Sequence, residues 1–237
     1  MGAGSPDKGS FLMSLSPCTA EAVLRRCQLI GFNLAEKEAG QLAEYLGLLM
    51  KWNKVMNLVG ADSWESCLEK LVSDSLHLAS YLKRRKDILF KSLSNAAQIW
   101  DLGSGAGLPG IPLRILWQEG EYWLVEAREK RALFLATVLS RLMLPHTQAF
   151  HGRVENFMTE RMADLVLSRA FMPWEDILTL LNGKIREGGH VLFMINSPLS
   201  ESFIPDGWCL KDVHAYKAGR GTRYFCSVAV LPNKAPS

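Results

Sequence analysis

Four closely spaced glycines stand in the segment IWDLGSGAGLPGIPL, residues 99–113. A short apolar run precedes them and helix-like apolar spacing follows, which predicts a strand, a tight turn and the start of a helix. Gly105, Gly107 and Gly110 fit the G-x-G-x-x-G spacing of a dinucleotide-binding turn. Gly103, Gly105 and Gly107 equally fit the G-x-G-x-G spacing of a nucleoside-binding turn. No Gly-Lys-Ser/Thr follows, which excludes a P-loop, but the spacing leaves the ligand open.

Two acidic residues close the first two predicted strands. Glu126 ends the run EYWLVEA, and a carboxylate about 20 residues beyond such a turn accepts hydrogen bonds from ribose hydroxyls. Glu126 therefore favours an adenosine-containing cofactor without naming it. S-adenosylmethionine carries an ammonium and a sulfonium group and no phosphate, so Asp101, at the end of the first strand, would suit that cofactor.

A third charged residue, Arg169, directly follows the apolar run DLVLS. This spacing predicts a side chain at the carboxyl end of a core strand, facing the ligand cleft. The alternative is a salt bridge between Arg169 and a loop carboxylate.

Helical and strand patterns divide the chain into two parts. The first 90 or so residues are typical of amphipathic helices. We expect caps at Asn33, with Glu36 three residues on, and at Asp62, with Glu65 three residues on. Further along, apolar runs alternate with helical stretches, which predicts parallel strands with crossover helices. The runs span 98–102, 122–125, 164–167 and 190–195, and the helical stretches span 109–118, 128–143 and 174–186.

The last part of the chain is rich in aromatic and β-branched residues. The stretches WCLKDVHAY and TRYFCSVAVL predict two terminal strands that complete the sheet, with a turn-forming KAGRG between them.

Composition points to a globular protein that stays in a reducing compartment. The 237 residues are 48% hydrophobic, enough for a sizeable core. Five cysteines show no paired spacing, and we recognise no targeting signal or membrane-length apolar run, so we expect a cytoplasmic protein. The net charge of +3 is small, but basic clusters such as KRRK at 83–86 and REKR at 128–131 could bind phosphate or simply be solvated.

Five segments in one order resemble a known family. They are WNKVMNL at 52–58, DLGSGAGLPGIPL at 101–113, VEAREKRALFL at 125–135, GRVENF at 152–157 and SRAF at 168–171. They resemble the glucose-inhibited division protein B family, S-adenosylmethionine-dependent guanine-N7 methyltransferases of small-subunit ribosomal RNA. The resemblance implies an α/β class I methyltransferase fold, Rossmann-like, with a mostly parallel seven-stranded sheet and an N-terminal helical annex. The small, polar, proline-containing ends predict poorly ordered tails at 1–17 and 233–237, and between them we expect the annex at 18–92 and the methyltransferase domain at 93–232.

The resemblance also implies functional residues. The cofactor contacts fall on Gly103, Gly105, Leu108, Val154, Glu155 and Arg169, to which the strand pattern adds Glu126. The basic residues near the RNA fall on Lys130, Arg153 and Arg223, with Arg153 and Arg169 close to the reacting centre, and no metal is implied. Two positions depart from the family: Leu71 replaces a His before the DSL triplet, and Ile195 and Asn196 stand where the fifth strand usually ends in Lys.

Three functions stay open at this stage. The resemblance favours methyl transfer from S-adenosylmethionine to guanine N7 in 16S ribosomal RNA, as free RNA or within the small subunit, by a monomer that contacts no membrane. The N7 lone pair is free, so this reaction needs orientation of the reactants rather than a catalytic base. A cofactor-binding, ribosome-associated module with altered or lost turnover is a second reading, because of Leu71 and Ile195. A nucleotide-dependent oxidoreductase is a third.

Overall fold

A seven-stranded sheet with helices on both faces forms the body of the chain in a computed structural model that describes residues 17–90, 93–219 and 221–231. The predicted tails lie outside these ranges apart from Pro17, and so does the predicted end of the annex at Ser92. The strands are β1 (Gln98–Leu102), β2 (Glu121–Glu126), β3 (Thr147–His151), β4 (Ala163–Arg169), β5 (Ile185–Ile195), β6 (Trp208–Ala218) and β7 (Gly221–Val230). The α-helices are α1 (Ala20–Leu29), α2 (Glu36–Met56), α3 (Trp64–Cys67), α4 (Ser73–Arg85), α5 (Gly110–Leu116), α6 (Glu129–Leu142), α7 (Val154–Phe157) and α8 (Trp174–Leu180).

The strand order confirms the predicted fold class. The order is β3-β2-β1-β4-β5-β7-β6, and strands β1 to β5 are parallel, while β7 runs antiparallel between β5 and β6. Parallel strands need crossover connections, and α5 to α8 supply them. Strand order reverses beside β1, so ligands are expected beyond the carboxyl ends of β1 and β4.

One helix end and one strand differ from the sequence prediction. The helix expected over 174–186 ends at Leu180, because Gly183 adopts a positive φ and β5 begins at Ile185. The edge strand β3 has no matching apolar run, since its side chains are half-buried or exposed and therefore need not be hydrophobic.

Both predicted helix caps lie at the wrong residues. Helix α2 starts after Ala35, whose amide donates to Glu38 Oε2 at 2.8 Å, rather than after Asn33. Helix α3 starts after Ser63, whose hydroxyl accepts from the Ser66 amide at 3.2 Å, rather than after Asp62. A serine one residue later performs the capping that the aspartate was expected to perform.

The helices α1 to α4, here called the annex, pack against α5 and α6 on one face of the sheet. Their apolar stripe is buried, with Leu42, Leu46 and Leu49 of α2 in the same core as residues of β1 and α6. The Tyr45 hydroxyl donates to the Ala106 carbonyl at 2.9 Å and so ties α2 to the glycine turn. Among the described residues, no helix is long and apolar enough to cross a membrane.

A buried arginine, Arg114, holds loops at the amino ends of the parallel strands, opposite the glycine turn. The Arg114 guanidinium on α5 is fully buried and donates to five backbone carbonyls and one hydroxyl. These acceptors are the carbonyls of Trp117, Gln118, Glu119, Gly120 and Pro145 and the Oγ1 atom of Thr147. Burial lowers the pKa of Arg114 to about 10. The side chain thereby holds the loops that lead into β2 and β3.

Candidate functional site

The glycine turn after β1 is held from below by the end of β2. The amides of Gly103 and Ser104 donate to the Val125 carbonyl at 3.0 and 3.1 Å, and the Ser104 hydroxyl donates to the Asp101 carbonyl at 2.8 Å. Gly105 has a positive φ. These bonds place the turn at the carboxyl ends of β1 and β2, where an open sheet binds its ligand.

The four glycines serve different purposes. A Cβ atom on Gly107 would clash with Ile111, so this glycine lets the turn pack against the start of α5, whereas a Cβ atom on Gly110 would clash with Asp101 and Leu124, so that glycine lets α5 pack closely on the sheet. A Cβ atom on Gly105 would meet no atom nearer than 3.6 Å, the Arg131 Nη1 atom. No clash with the chain therefore requires a glycine at position 105, as expected for a glycine that lies against a ligand.

A first cavity, of about 360 Å³, opens beside Glu126. Its wall brings together Gly103, Glu126, Val154, Glu155 and Arg153, all predicted from the sequence and contributed by three separate segments. The Phe171 ring also lines it and blocks any side chain at Gly103. An aromatic ring beside a buried carboxylate is suited to a nucleoside, which presents a flat base and ribose hydroxyls.

Glu126 is buried and held in one orientation. Its Oε2 accepts from the Gly105 amide and its Oε1 accepts from the Arg128 amide, each at 2.8 Å. Each carboxylate oxygen has a second acceptor site, so Glu126 can still accept from a ligand hydroxyl at the cavity wall. The two amide bonds fix the carboxylate in advance, which reduces the entropy that binding would otherwise cost.

A second cavity, of about 290 Å³, adjoins the first. Gly103, Arg131 and Ala170 line both cavities, which together form one continuous cleft. The predicted residues Gly105, Leu108 and Arg169 line the second cavity. Leu58, Val59 and Gly60 of the loop before α3 form one side of it, so the annex supplies part of the cleft wall.

A buried carboxylate, Asp74, holds two arginines at the second cavity. Asp74 is 1% exposed, and its Oδ2 lies 3.0 Å from Arg169 Nη2 and also pairs with Arg223 Nη1. Its Oδ1 accepts from the Tyr216 hydroxyl at 3.1 Å, and Arg169 Nη1 donates to the Leu71 carbonyl at 3.3 Å. The pKa of the Tyr216 hydroxyl is raised above its usual range, mainly by burial and secondly by the neighbouring Asp74. One carboxylate against two guanidinium groups leaves an excess positive charge beside the cavity.

The predicted role of Asp101 is wrong. Its carboxylate lines neither cavity; it accepts from the Tyr122 hydroxyl at 3.2 Å and from the Gly110 amide, beneath α5. Burial raises its pKa to about 7. Successive strand side chains point to opposite faces, so a position near a strand end does not by itself aim a side chain at the cleft.

The predicted basic residues differ in how they stand to the two cavities. Arg153 is exposed, lines the first cavity and lies 3.8 Å from Glu155, whereas Lys130 is exposed on the first turn of α6 outside the walls of both cavities. Arg223 is engaged by Asp74 beside the second cavity. Arg169 satisfies both readings of the sequence, because it lines the cleft and forms a salt bridge.

Sequence reasoning missed Asp74, Tyr216 and Phe171. One signal for Asp74 was available: it is an ionisable residue within the apolar stripe of a predicted helix, and buried carboxylates are paired. Of the positions that depart from the family pattern, Leu71 lines the second cavity, whereas Ile195 and Asn196 lie outside both cavity walls.

Known proteins resemble this chain along most of its length. A family model described as rRNA small subunit methyltransferase G matches residues 38–202. A ribosomal RNA small subunit methyltransferase G from Nitratidesulfovibrio vulgaris is 47% identical over 210 residues, covering 87% of this chain and 93% of that protein. The protein of the same name from Oleidesulfovibrio alaskensis is 43% identical over 231 residues, covering 93% and 97%.

A solved structure supports the fold. A Klebsiella pneumoniae protein described as a candidate O-methyltransferase superposes with a TM-score of 0.56 at 13% identity, covering 90% of this chain and 97% of that one. At this identity the likeness concerns the arrangement of strands and helices alone.

Proposed function

The chain belongs to the rRNA small subunit methyltransferase G family, and we propose that it transfers the methyl group of S-adenosylmethionine to N7 of a guanine in small-subunit ribosomal RNA. It is an S-adenosylmethionine-dependent methyltransferase by that membership. The guanine N7 acceptor, the site residues and the form of the RNA are the parts that we propose.

One observation carries the proposal. A continuous cleft crosses the carboxyl ends of β1, β2 and β4, with the fixed carboxylate of Glu126 at one end and the excess positive charge around Arg169 at the other. S-adenosylmethionine offers ribose hydroxyls in its adenosine half and a carboxylate at its methionine end, so these two features of the cleft match those two groups. Gly105 lines the second cavity without a side chain, which gives the backbone close access to such a ligand.

The residues of the cleft divide the work of holding the cofactor. We assign the adenine to Val154 and Glu155, the ribose to Glu126, and the methionine part to Gly103, Gly105, Leu108 and Arg169. When bound there, S-adenosylmethionine supplies an electrophilic methyl carbon on a positively charged sulfur. Arg169 is held by Asp74 and by the Leu71 carbonyl, so its guanidinium is oriented before any ligand arrives.

The acceptor requires no proton to be removed. The N7 lone pair of guanine is free, so the contribution of the chain is to align the base with the methyl group and to exclude water. The apolar side chains of Leu58, Val59, Leu71 and Leu108 in the second cavity are suited to that task. Arg169, at this end, is the residue we place next to the reacting atoms.

The basic residues at the rim are assigned to the RNA. Arg153 and Lys130 are exposed near the carboxyl ends of β3 and β2, where they can approach phosphates. Arg153 lines the first cavity rather than the second, which supports a role in binding RNA more than a role beside the reacting atoms. We further propose that the protein acts as a monomer in the cytoplasm on a single-stranded or opened region of the small-subunit RNA.

The test is methyl transfer with two substrates. Tritiated S-adenosylmethionine is incubated with deproteinised 16S ribosomal RNA and with assembled small subunits, and the labelled base is then mapped. We expect label at a guanine N7 in at least one of them. Label elsewhere in the RNA would overturn the assigned acceptor, and absence of label in both would overturn the activity.

A thermal-shift measurement separates the cofactor from a dinucleotide. S-adenosylhomocysteine should raise the melting midpoint and NAD should leave it unchanged, because only the former matches both ends of the cleft. The opposite pattern would favour an oxidoreductase. A shift with S-adenosylhomocysteine but no methyl transfer to either RNA substrate would indicate a binding module without turnover.

A further inference from the structure

A large groove in the annex lies beside the cofactor cleft. It is a cavity of about 620 Å³, within the ~300–1,000 Å³ range typical of ligand pockets. We call it the annex groove; one wall is the face of α2 that carries Gly47, Met50, Lys51 and Lys54. The loop from Asn57 to Ser63, with Trp64 and Cys18, forms the rest of the wall, within the described residues.

The annex groove lies next to the second cavity. Val59 and Gly60 line both spaces, so a single turn of backbone separates the groove from the end of the cleft where Arg169 lies. That backbone is braced from within: Asn53 accepts from the Val59 amide at 2.8 Å and donates to the Ala61 carbonyl at 3.2 Å. The groove is therefore a preformed space at a fixed distance from the methyl-transfer end.

The polar side chains of the groove favour an anionic ligand. Lys51 and Lys54 are exposed and three residues apart on α2, which places their ammonium groups on the same face of the helix. Of the residues that line the groove, Asp62 is the one carboxylate. Two cations against one anion, around a cavity with an apolar part formed by Met50 and Trp64, suit a nucleotide with its phosphate outward and its base inside.

We propose that the annex groove binds a nucleotide of the RNA strand next to the guanine that is methylated. This inference rests on the proposed function, because the occupant is part of the same RNA substrate. Lys51 and Lys54 contact backbone phosphates, and the groove wall holds the flanking base, so the strand bends over Val59 and Gly60 into the cleft. A guanine in a flexible strand is positioned in the cleft only if the neighbouring nucleotide is also bound, and the groove binds that nucleotide.

The first test removes the two lysines. The double variant Lys51→Ala, Lys54→Ala is compared with Lys37→Ala, a matched exposed lysine on the first turn of the same helix. Binding of a 16S ribosomal RNA transcript is measured across a salt series. We expect weaker RNA binding by the double variant and a salt slope smaller by about 1.4, at ~0.7 per lost contact to a single strand. Affinity for S-adenosylhomocysteine should be unchanged, which also shows that the fold is intact.

The second test fills the groove without changing charge. Gly47 and Gly40 both lie in α2, and a Cβ atom on either would meet nothing within 4 Å, but only Gly47 lines the groove. Gly47→Phe should weaken RNA binding and raise the KM for RNA, whereas Gly40→Phe should not. If surface charge alone held the nucleotide, Gly47→Phe and Gly40→Phe would bind RNA with the same affinity. That result would show that the groove is not a site for a base.

Cross-linking identifies the occupant. RNA carrying 4-thiouridine is irradiated with the protein, free or within assembled small subunits, and cross-linked peptides are expected from residues 47–64. Unchanged RNA binding in both lysine and phenylalanine variants would overturn the proposal while methyl transfer by the parent chain still stands. Cross-links from 4-thiouridine only to peptides outside residues 47–64 would overturn the groove as the site of the flanking nucleotide. Failure of the parent chain to bind or methylate RNA would instead overturn the proposed function itself.

Discussion

The position of Gly105 at the wall of the second cavity predicts the effect of adding a single methyl group. Gly105→Ala should cost roughly 1–2 kcal/mol of stability because of its positive φ, and should weaken S-adenosylhomocysteine binding at least ~tenfold. The methyl group would occupy space that the cofactor needs. Calorimetric titration gives the affinity, and urea unfolding gives the stability.

Gly183→Ala is the matched control for that substitution. Gly183 also has a positive φ and open space around it, but it lies in the turn before β5. It should lose similar stability and keep its affinity. Equal affinities in the two variants would remove Gly105 from the cofactor site.

The pairing of Asp74 predicts unequal effects within one cluster. Asp74→Asn leaves the guanidinium groups of Arg169 and Arg223 close together without a counter-charge, so the free energy of unfolding should fall by ~3–5 kcal/mol. Arg223→Ala removes a surplus cation and leaves Asp74 paired with Arg169, so the loss should be much smaller. Urea unfolding of both variants checks this order, and a larger loss in Arg223→Ala would contradict the account of the cluster.

The buried carboxyl of Asp101 predicts a dependence of stability on pH. Burial raises its folded pKa from 3.8 to about 7, so between these values the folded state holds a proton that the unfolded state has lost. Stability contributed by this group is therefore present below about pH 4 and falls as the pH rises towards 7, by up to ~1.4 kcal/mol per unit. Asp101→Asn should remove this slope.

The difference in unfolding free energy between the parent chain and Asp101→Asn separates the contribution of Asp101 from those of other titrating groups. Burial lowers the pKa of His190 to about 4, so His190 contributes the opposite slope, stability that is lost as the pH falls from 6.5 towards 4. Unfolding free energies of the parent chain and Asp101→Asn should diverge steadily from pH 4 to 7 in favour of the variant. Parallel curves would show that the carboxyl ionises normally in the fold.

Among the elements, α5 joins the two ends of the sheet. Its start is held by Asp101 beneath the cleft, and its Arg114 holds the loops before β2 and β3 at the opposite end. Arg114→Met should leave buried carbonyls unpaired and lower the free energy of unfolding by at least ~3 kcal/mol. The remaining folded protein should bind S-adenosylhomocysteine normally, because Arg114 is remote from the cleft.

Arg141→Met is the control for Arg114→Met. Arg141 is exposed in the last turn of α6, so its loss should change stability by no more than ~0.5 kcal/mol. A loss in Arg114→Met as small as in the control would mean that water replaces the guanidinium at those carbonyls.

For the molecule as a whole, the annex and the sheet should unfold together. They are joined by the Tyr45 bond to Ala106, by the Asp74 cluster, and by the Tyr81 hydroxyl, which donates to Asp212 at 2.9 Å. Hydrogen exchange followed in increasing urea should give one midpoint for amides of α2 and of β4, and S-adenosylhomocysteine should raise both equally. Exchange of α2 at a lower urea concentration would show that the annex opens on its own.

The sequence by itself determined the strand, turn and helix around the four glycines, most of the parallel sheet, and the positions of Glu126 and Arg169 at strand ends. These features depend on local spacing: apolar periodicity, glycines that permit a tight turn, and polar residues that directly follow apolar runs. Glycine spacing alone could not say which glycine lies against a ligand, because packing against Phe171, Ile111 or the sheet excludes a side chain at Gly103, Gly107 and Gly110, whereas Gly105 has room for one.

Tertiary structure decided the partners of the charged groups. Asp74 and Arg223 are 149 residues apart in the chain, and Tyr216 reaches the same carboxylate across 142 residues. No local pattern encodes such a pairing, since it arises only when α4 packs beside β6 and β7. The same reason explains the misassigned Asp101 and the unpredicted annex groove: the direction of a side chain, and the space left between α2 and its following loop, exist only once the elements have packed.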